Sequence, residues 1–128
     1  MTIPEHIVII PDGNRRWAKR NGKPAFFGHR QGLKAAEKIF ETALDMRIPC
    51  FTFWGCSINN IQRRSSVEVK FLFKLFEYHF NRLARNKDIH QKEVRIDVIG
   101  KWKTLFPASV KKAIENALRA TKHYKKHR

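Results

Sequence analysis

The chain has 128 residues, 42% of them apolar, with ten Phe and three Trp; that is one ordinary domain's length with ample core material, and it excludes a disordered chain. Twenty-seven Lys and Arg stand against eleven Asp and Glu, so the formal charge of +16 selects anionic partners: phosphorylated metabolites, nucleic acid or an acidic membrane surface. No signal-peptide pattern opens the sequence and no run approaches the roughly 18 apolar residues of a membrane span, so a cytoplasmic protein is expected, with peripheral membrane contact left open.

The first expected element is a buried strand, Ile7 to Ile10, which runs into Pro11-Asp12-Gly13-Asn14 and then into the cations Arg15, Arg16, Lys19, Arg20, Lys23, His29 and Arg30. From Gln31 to Met46 the apolar positions Leu33, Ala36, Ile39, Phe40, Ala43 and Leu44 recur at helical spacing. Pro49 leads into a second strand, Cys50 to Trp54, and the two cysteines, Cys50 and Cys56, read as buried reduced thiols. A long helix from Ser66 to Arg85 carries one stripe of Val69, Leu72, Phe73, Phe76, Phe80 and Leu83 and a second face of Phe71, Leu75 and Tyr78. Val94 to Ile99 reads as a third strand, and Pro107 suits the first turn of a last helix that ends near His123, leaving Lys122 to Arg128 as a frayed basic tail.

Strands alternating with helices predict a single α/β domain: an open, mostly parallel sheet with right-handed crossovers and flanking helices, reduced to about three strands. A sheet so small leaves at least one edge bare.

In open α/β folds the ligand crevice lies beyond the carboxyl ends of the strands, which is where Asp12 to Arg16, Gly55 to Arg64 and Gly100 to Lys101 fall. Gly13 allows a tight turn whose amides can meet phosphate oxygens, and Arg15, Arg16 and Lys19 add guanidinium and ammonium contacts to the same anion. Asp12 is either a salt-bridge partner for these cations or an oxygen ligand for Mg2+, an ion that takes one or two carboxylates together with phosphate oxygens and water. Asn14 is a turn cap or a substrate hydrogen-bonder, Trp17 a core residue or a stacking platform, and His29 a local cap or a phosphate donor and proton relay.

The string from His6 through Pro11-Asp12-Gly13-Asn14-Arg15-Arg16-Trp17-Ala18, followed by Gly28-His29-Arg30-Gln31-Gly32, resembles the first signature of cis-prenyltransferases, the undecaprenyl diphosphate synthase family. The resemblance continues through Ser57, Asn60 and Arg63, the two-faced helix, and Val94 to Gly100, covering nearly the whole chain. It implies the α/β fold of those synthases and condensation of isopentenyl diphosphate onto an allylic diphosphate with cis geometry. By the same resemblance Asp12 holds Mg2+ against a diphosphate, and Asn14 serves catalysis and proton removal. Gly13, Arg15, Arg16, Trp17 and His29 surround the allylic substrate, while Ser57, Asn60 and Arg63 organise both substrates from a flexible loop. Phe71, Leu72, Leu75, Phe76 and Phe80 become candidates for the wall of a hydrophobic product channel, with core packing as the alternative.

This sequence departs from the family pattern at three places: Asn59 replaces an acid, Ile61 an aromatic residue, and Ala25 an arginine. Members of the family run to about twice this length, and their distal half carries the arginine-rich isopentenyl diphosphate pocket and much of the dimer surface. The resemblance therefore implies either a natural short form or truncated reading frame, or a noncatalytic or partner-completed subunit whose distal half comes from another chain; the expected assembly is a homodimer or a pair with a partner subunit. Nucleic-acid binding is the least favoured alternative, because the cations concentrate beside Asp12 and lack interleaved exposed aromatics.

Overall fold

A computed structural model of the chain describes residues 2–128 and shows two units, Met1–Leu72 and Phe73–Arg128. In the first unit the opening apolar run forms β1 (His6–Ile9), and α1 (Asn14–Arg20) and α2 (Ala25–Asp45) carry the chain back to β2 (Cys50–Phe53). The two strands pair in parallel with His6 opposite Cys50 and Ile9 opposite Phe53. The ladder continues past their ends through bonds from Cys50 N–H to the Glu5 carbonyl and from Trp54 N–H to the Ile9 carbonyl. This is the expected α/β arrangement with parallel pairing.

The strands are less enclosed than their uninterrupted apolar sequences predict. Ile7 and Ile9 are half-buried, whereas Val8, Ile10 and Trp54 stand exposed. Side chains alternate between the two faces of a strand, and here one face is covered while the other is open. The packed face meets α2, where Ala36, Ala43 and Leu44 are buried and the Phe40 ring lies 5.4 Å from that of Phe51. The helix starts at Ala25, six residues before its apolar stripe suggests, because Pro24 in extended conformation supplies its N-terminal boundary. After β2 come α3 (Ile58–Arg63) and the first turns of α4 (Ser66–Arg85), whose bounds match the apolar periodicity.

In the second unit α4 continues, followed by α5 (Lys87–Gln91), α6 (Trp102–Leu105) and α7 (Ala108–Thr121). Trp102, Val110 and Ile114 form its core, with Phe73, Phe76, Phe80 and Phe106 packed against them. Phe76 stacks on Phe106 at 5.9 Å, and both Phe76 and Phe80, partly buried, pack against this core.

The run Val94 to Ile99 is extended but forms no strand of the sheet, which holds two strands rather than three. Its backbone donors go elsewhere. Arg95 N–H bonds the His127 carbonyl at 2.8 Å, Ile96 N–H bonds the Thr121 hydroxyl at 2.9 Å, and Val94 forms a single parallel bridge with His127. The basic ending is accordingly tied back rather than frayed: Lys126 pairs with Glu93, and Arg128 with Asp97. Among the described residues no helix is long and apolar enough to cross a membrane.

Candidate functional site

The loop that leaves β1 turns at Gly13, whose φ of 85° lies in the left-handed region that side chains disfavour. That turn starts α1 immediately, so Asp12 precedes the helix and Arg16 lies one turn into it. Arg16 Nη2 donates to Asp12 Oδ2 at 2.8 Å, with both side chains in solvent, at 67% and 86% exposure. An ion pair so exposed is worth at most about 1 kcal/mol, so either partner exchanges readily for an incoming ligand.

Helix α1 packs directly against α2 at two glycines spaced one turn apart. A methyl group at Gly28 would come within 1.9 Å of the Asn14 carbonyl oxygen, and one at Gly32 within 2.4 Å of the Asn14 side-chain oxygen. Asn14 therefore sits in a notch cut by Gly28 and Gly32. The segments Asp12 to Trp17 and Gly28 to Gly32, separate in sequence, are one structural piece.

Between these two glycines His29 is buried and its Nε2 lies 2.8 Å from Glu68 Oε1 at the start of α4. A carboxylate has no proton to give, so the imidazole donates and its proton sits on Nε2. The same Glu68 oxygen lies 3.6 Å from Arg15 Nε on α1 and 3.6 Å from Arg64 Nε after α3. Glu68 is 10% exposed and Arg64 18%, while Arg15 reaches in from solvent at 63%. One carboxylate thus gathers an imidazole and two guanidinium groups from three segments of the first unit, and the cluster keeps a surplus of positive charge.

The other expected positions are placed as follows. Ser57 caps α3: its hydroxyl accepts from Asn60 N–H at 3.1 Å, and Asn60 Oδ1 accepts from Ser57 N–H at 3.1 Å. Arg63 is exposed in the last turn of α3. Among the described residues, no hydrogen bond or ion pair joins Ser57, Asn60 or Arg63 to Asp12 or Arg16. Trp17 is 40% exposed with Lys23 Nζ 5.9 Å from its ring centroid, which makes it a surface ring and not a core residue. Burial pushes the Cys56 thiol up, with Arg64 opposing weakly, so this cysteine is a poor nucleophile. An apolar cavity of about 240 Å³ is lined by Ile7, Ile39, Met46 and Ile48, none of them a member of this cluster.

Two members of the cluster, Glu68 and Arg64, escape a reading of the sequence alone. The available signal is that Glu68 is the only acid between Asp45 and Glu77 and stands four residues after Arg64, one helical turn away.

Among the described residues no three His, Cys, Asp or Glu side chains converge as a metal cage. The exposed Asp12 carboxylate, with Oδ2 on Arg16 and Oδ1 open, fits the alternative in which a divalent ion takes one protein oxygen and completes its shell from phosphate and water.

The family model described as undecaprenyl diphosphate synthase, of the prenyltransferase class, matches residues 10–128. The tritrans,polycis-undecaprenyl-diphosphate synthase (geranylgeranyl-diphosphate specific) of Pyrococcus horikoshii is 44% identical over 122 residues, covering 95% of this chain and 46% of the relative. The synthase of the same description from Methanocaldococcus jannaschii is 40% identical over 124 residues, covering 97% and 44%. Among solved structures, lavandulyl diphosphate synthase from Lavandula x intermedia in complex with dimethylallyl diphosphate aligns with a TM-score of 0.86 at 28% identity, covering 95% of this chain and 51% of that one. The chain spans about half the length of the curated relatives it matches. With the family model matched over nearly the whole chain and the fold shared with a prenyl diphosphate synthase, the chain belongs to the undecaprenyl diphosphate synthase family of prenyltransferases.

Proposed function

We propose that this chain carries the allylic-diphosphate side of a cis-prenyltransferase site and acts in the condensation of isopentenyl diphosphate with an allylic diphosphate. The observation that carries this reading is the solvent-open Asp12–Arg16 pair at the carboxyl end of β1, on a loop seated against the Gly28–Gly32 notch. The relatives' description points to geranylgeranyl diphosphate as the primer, and dimethylallyl diphosphate in the lavender enzyme is of the same allylic class.

In the reaction a carbon–carbon bond forms to the allylic carbon, the bond from that carbon to the diphosphate oxygen breaks, and the isopentenyl unit loses a proton. The leaving diphosphate gathers negative charge, which fixed cations and a metal stabilise. Asp12 is the residue to hold Mg2+, whose contribution when bound is to neutralise that charge. Arg16, freed from Asp12, and Arg15 contact the phosphate oxygens. The Gly13 turn brings backbone amides close, and Asn14, held in its notch, presents a fixed amide beside them. Trp17 and Arg63 complete the exposed rim, and Ser57 with Asn60 orders the segment that carries Arg63 and Arg64. The isopentenyl diphosphate pocket is supplied by structure beyond this span or by a partner subunit.

The test is calorimetric titration of geranylgeranyl diphosphate with and without Mg2+ against the wild-type chain and Asp12→Ala. Binding that strengthens with Mg2+ and loses that increment in Asp12→Ala is expected; Mg2+-independent binding, or no change in the variant, removes Asp12 from this role.

A further inference from the structure

We propose that Glu68 is a positioning residue of the diphosphate site: it holds Arg15, Arg64 and His29 in the arrangement that an incoming diphosphate meets. The inference rests on the reading given above and adds to it a residue with the wrong charge for an anion site. Glu68 Oε1 is the common point of His29 Nε2 at 2.8 Å, Arg15 Nε at 3.6 Å and Arg64 Nε at 3.6 Å. These partners come from α2, α1 and the turn between α3 and α4.

The start of α4 is itself fixed, since Ser65 Oγ accepts from Glu68 N–H at 3.2 Å. Long arginine side chains lose much rotamer freedom when they are held to one geometry, and a carboxylate that holds them beforehand removes that cost from ligand binding. The single acid cannot neutralise two guanidinium groups, so the surplus charge remains for the ligand. The distances support the same division of labour. Both arginines meet Glu68 Oε1 through Nε at 3.6 Å, an ion-pair distance outside tight hydrogen-bond range, so their donors keep capacity for a ligand.

The role makes a prediction opposite in sign to simple electrostatics. Removing a negative charge from the rim of an anion site raises the local positive potential and, with nothing else changed, tightens diphosphate binding. If Glu68 positions the cations, Glu68→Gln weakens binding despite the gain of one positive charge.

The experiment measures affinity for geranylgeranyl diphosphate and for inorganic pyrophosphate in wild type, Glu68→Gln and Glu68→Asp, with thermal melts alongside. Glu68→Gln is expected to lose about tenfold or more in affinity for both probes while folded, and Glu68→Asp, which keeps the charge and shortens the reach, to fall between it and wild type. In arginine-selective NMR spectra the Nε resonances of Arg15 and Arg64 are expected to move in Glu68→Gln while that of Arg30 stays. Equal or tighter binding by folded Glu68→Gln overturns the inference. If that variant does not fold, wild-type affinity in Glu68→Asp overturns it instead. Wild-type protein that binds neither probe overturns the diphosphate reading itself, a result distinct from binding that ignores Glu68.

Discussion

The two units use their charge differently. Phe73–Arg128 is the more basic, with fifteen Lys and Arg against five acids, whereas Met1–Leu72 has twelve against six. Yet in the second unit the paired acids serve the fold: Glu93 holds Lys126, and Asp97 holds Arg95 and Arg128, fastening the tail to the extended run. In the first unit Asp12 and Glu68 instead collect cations beside the carboxyl end of β1. The quantity of charge selects a class of partner; the placement of a few acids marks the candidate site.

The comparison breaks most sharply at the two places where packing is tightest. Trp102→Ala, in the core of the second unit, is expected to cost about 3–5 kcal/mol in urea denaturation. Gly28→Ala, which drives a methyl into the Asn14 backbone, is expected to cost about 3 kcal/mol and to abolish Mg2+-dependent diphosphate binding in any folded fraction.

Smaller effects sharpen it. Ser57→Ala removes the α3 cap and is expected to cost about 1 kcal/mol, read from the shift of the urea midpoint. Asp12→Ala is expected to change stability by less than about 1 kcal/mol while removing the metal-dependent part of binding, because its ion pair stands in water. For Cys56 the sign follows from burial: a thiol pushed up yields its thiolate only at higher pH, so alkylation followed by mass spectrometry is expected to be slower at pH 8 than for an unhindered cysteine.

Much of this was legible in the sequence, for particular reasons. The bounds of α4 follow from its apolar stripe, while β1 lies one residue earlier than its apolar run at both ends and β2 stops one residue short of its own. Helices α1 and α3 escaped notice because Asn14 to Arg20 and Ile58 to Arg63 are too short and too polar to display a stripe. The first of them forms where α2 offers its glycine notch. Val94 to Ile99 has the composition of a strand, but a strand also needs a neighbour, and its donors found Thr121 and His127 instead.

At the site, the motif residues Asp12, Asn14, Arg16 and His29 could be named from sequence, but their partners could not. Glu68 lies 39 positions from His29, and nothing local marks the pair. The likeness of Arg63 and Arg64 as neighbours hid which one turns inward; burial separates them, with Arg64 folded against Glu68 and Arg63 left in water.

The seat that Gly28 and Gly32 provide for Asn14 has a practical consequence for protein engineers. Anyone transplanting the Asp12 to Trp17 turn onto a new scaffold must carry its glycine-bearing helix as well, since a graft without that mate would arrive with its amide unmoored. The smallest portable module is the hairpin of both helices, and random libraries that diversify the turn alone should hold those two small residues constant.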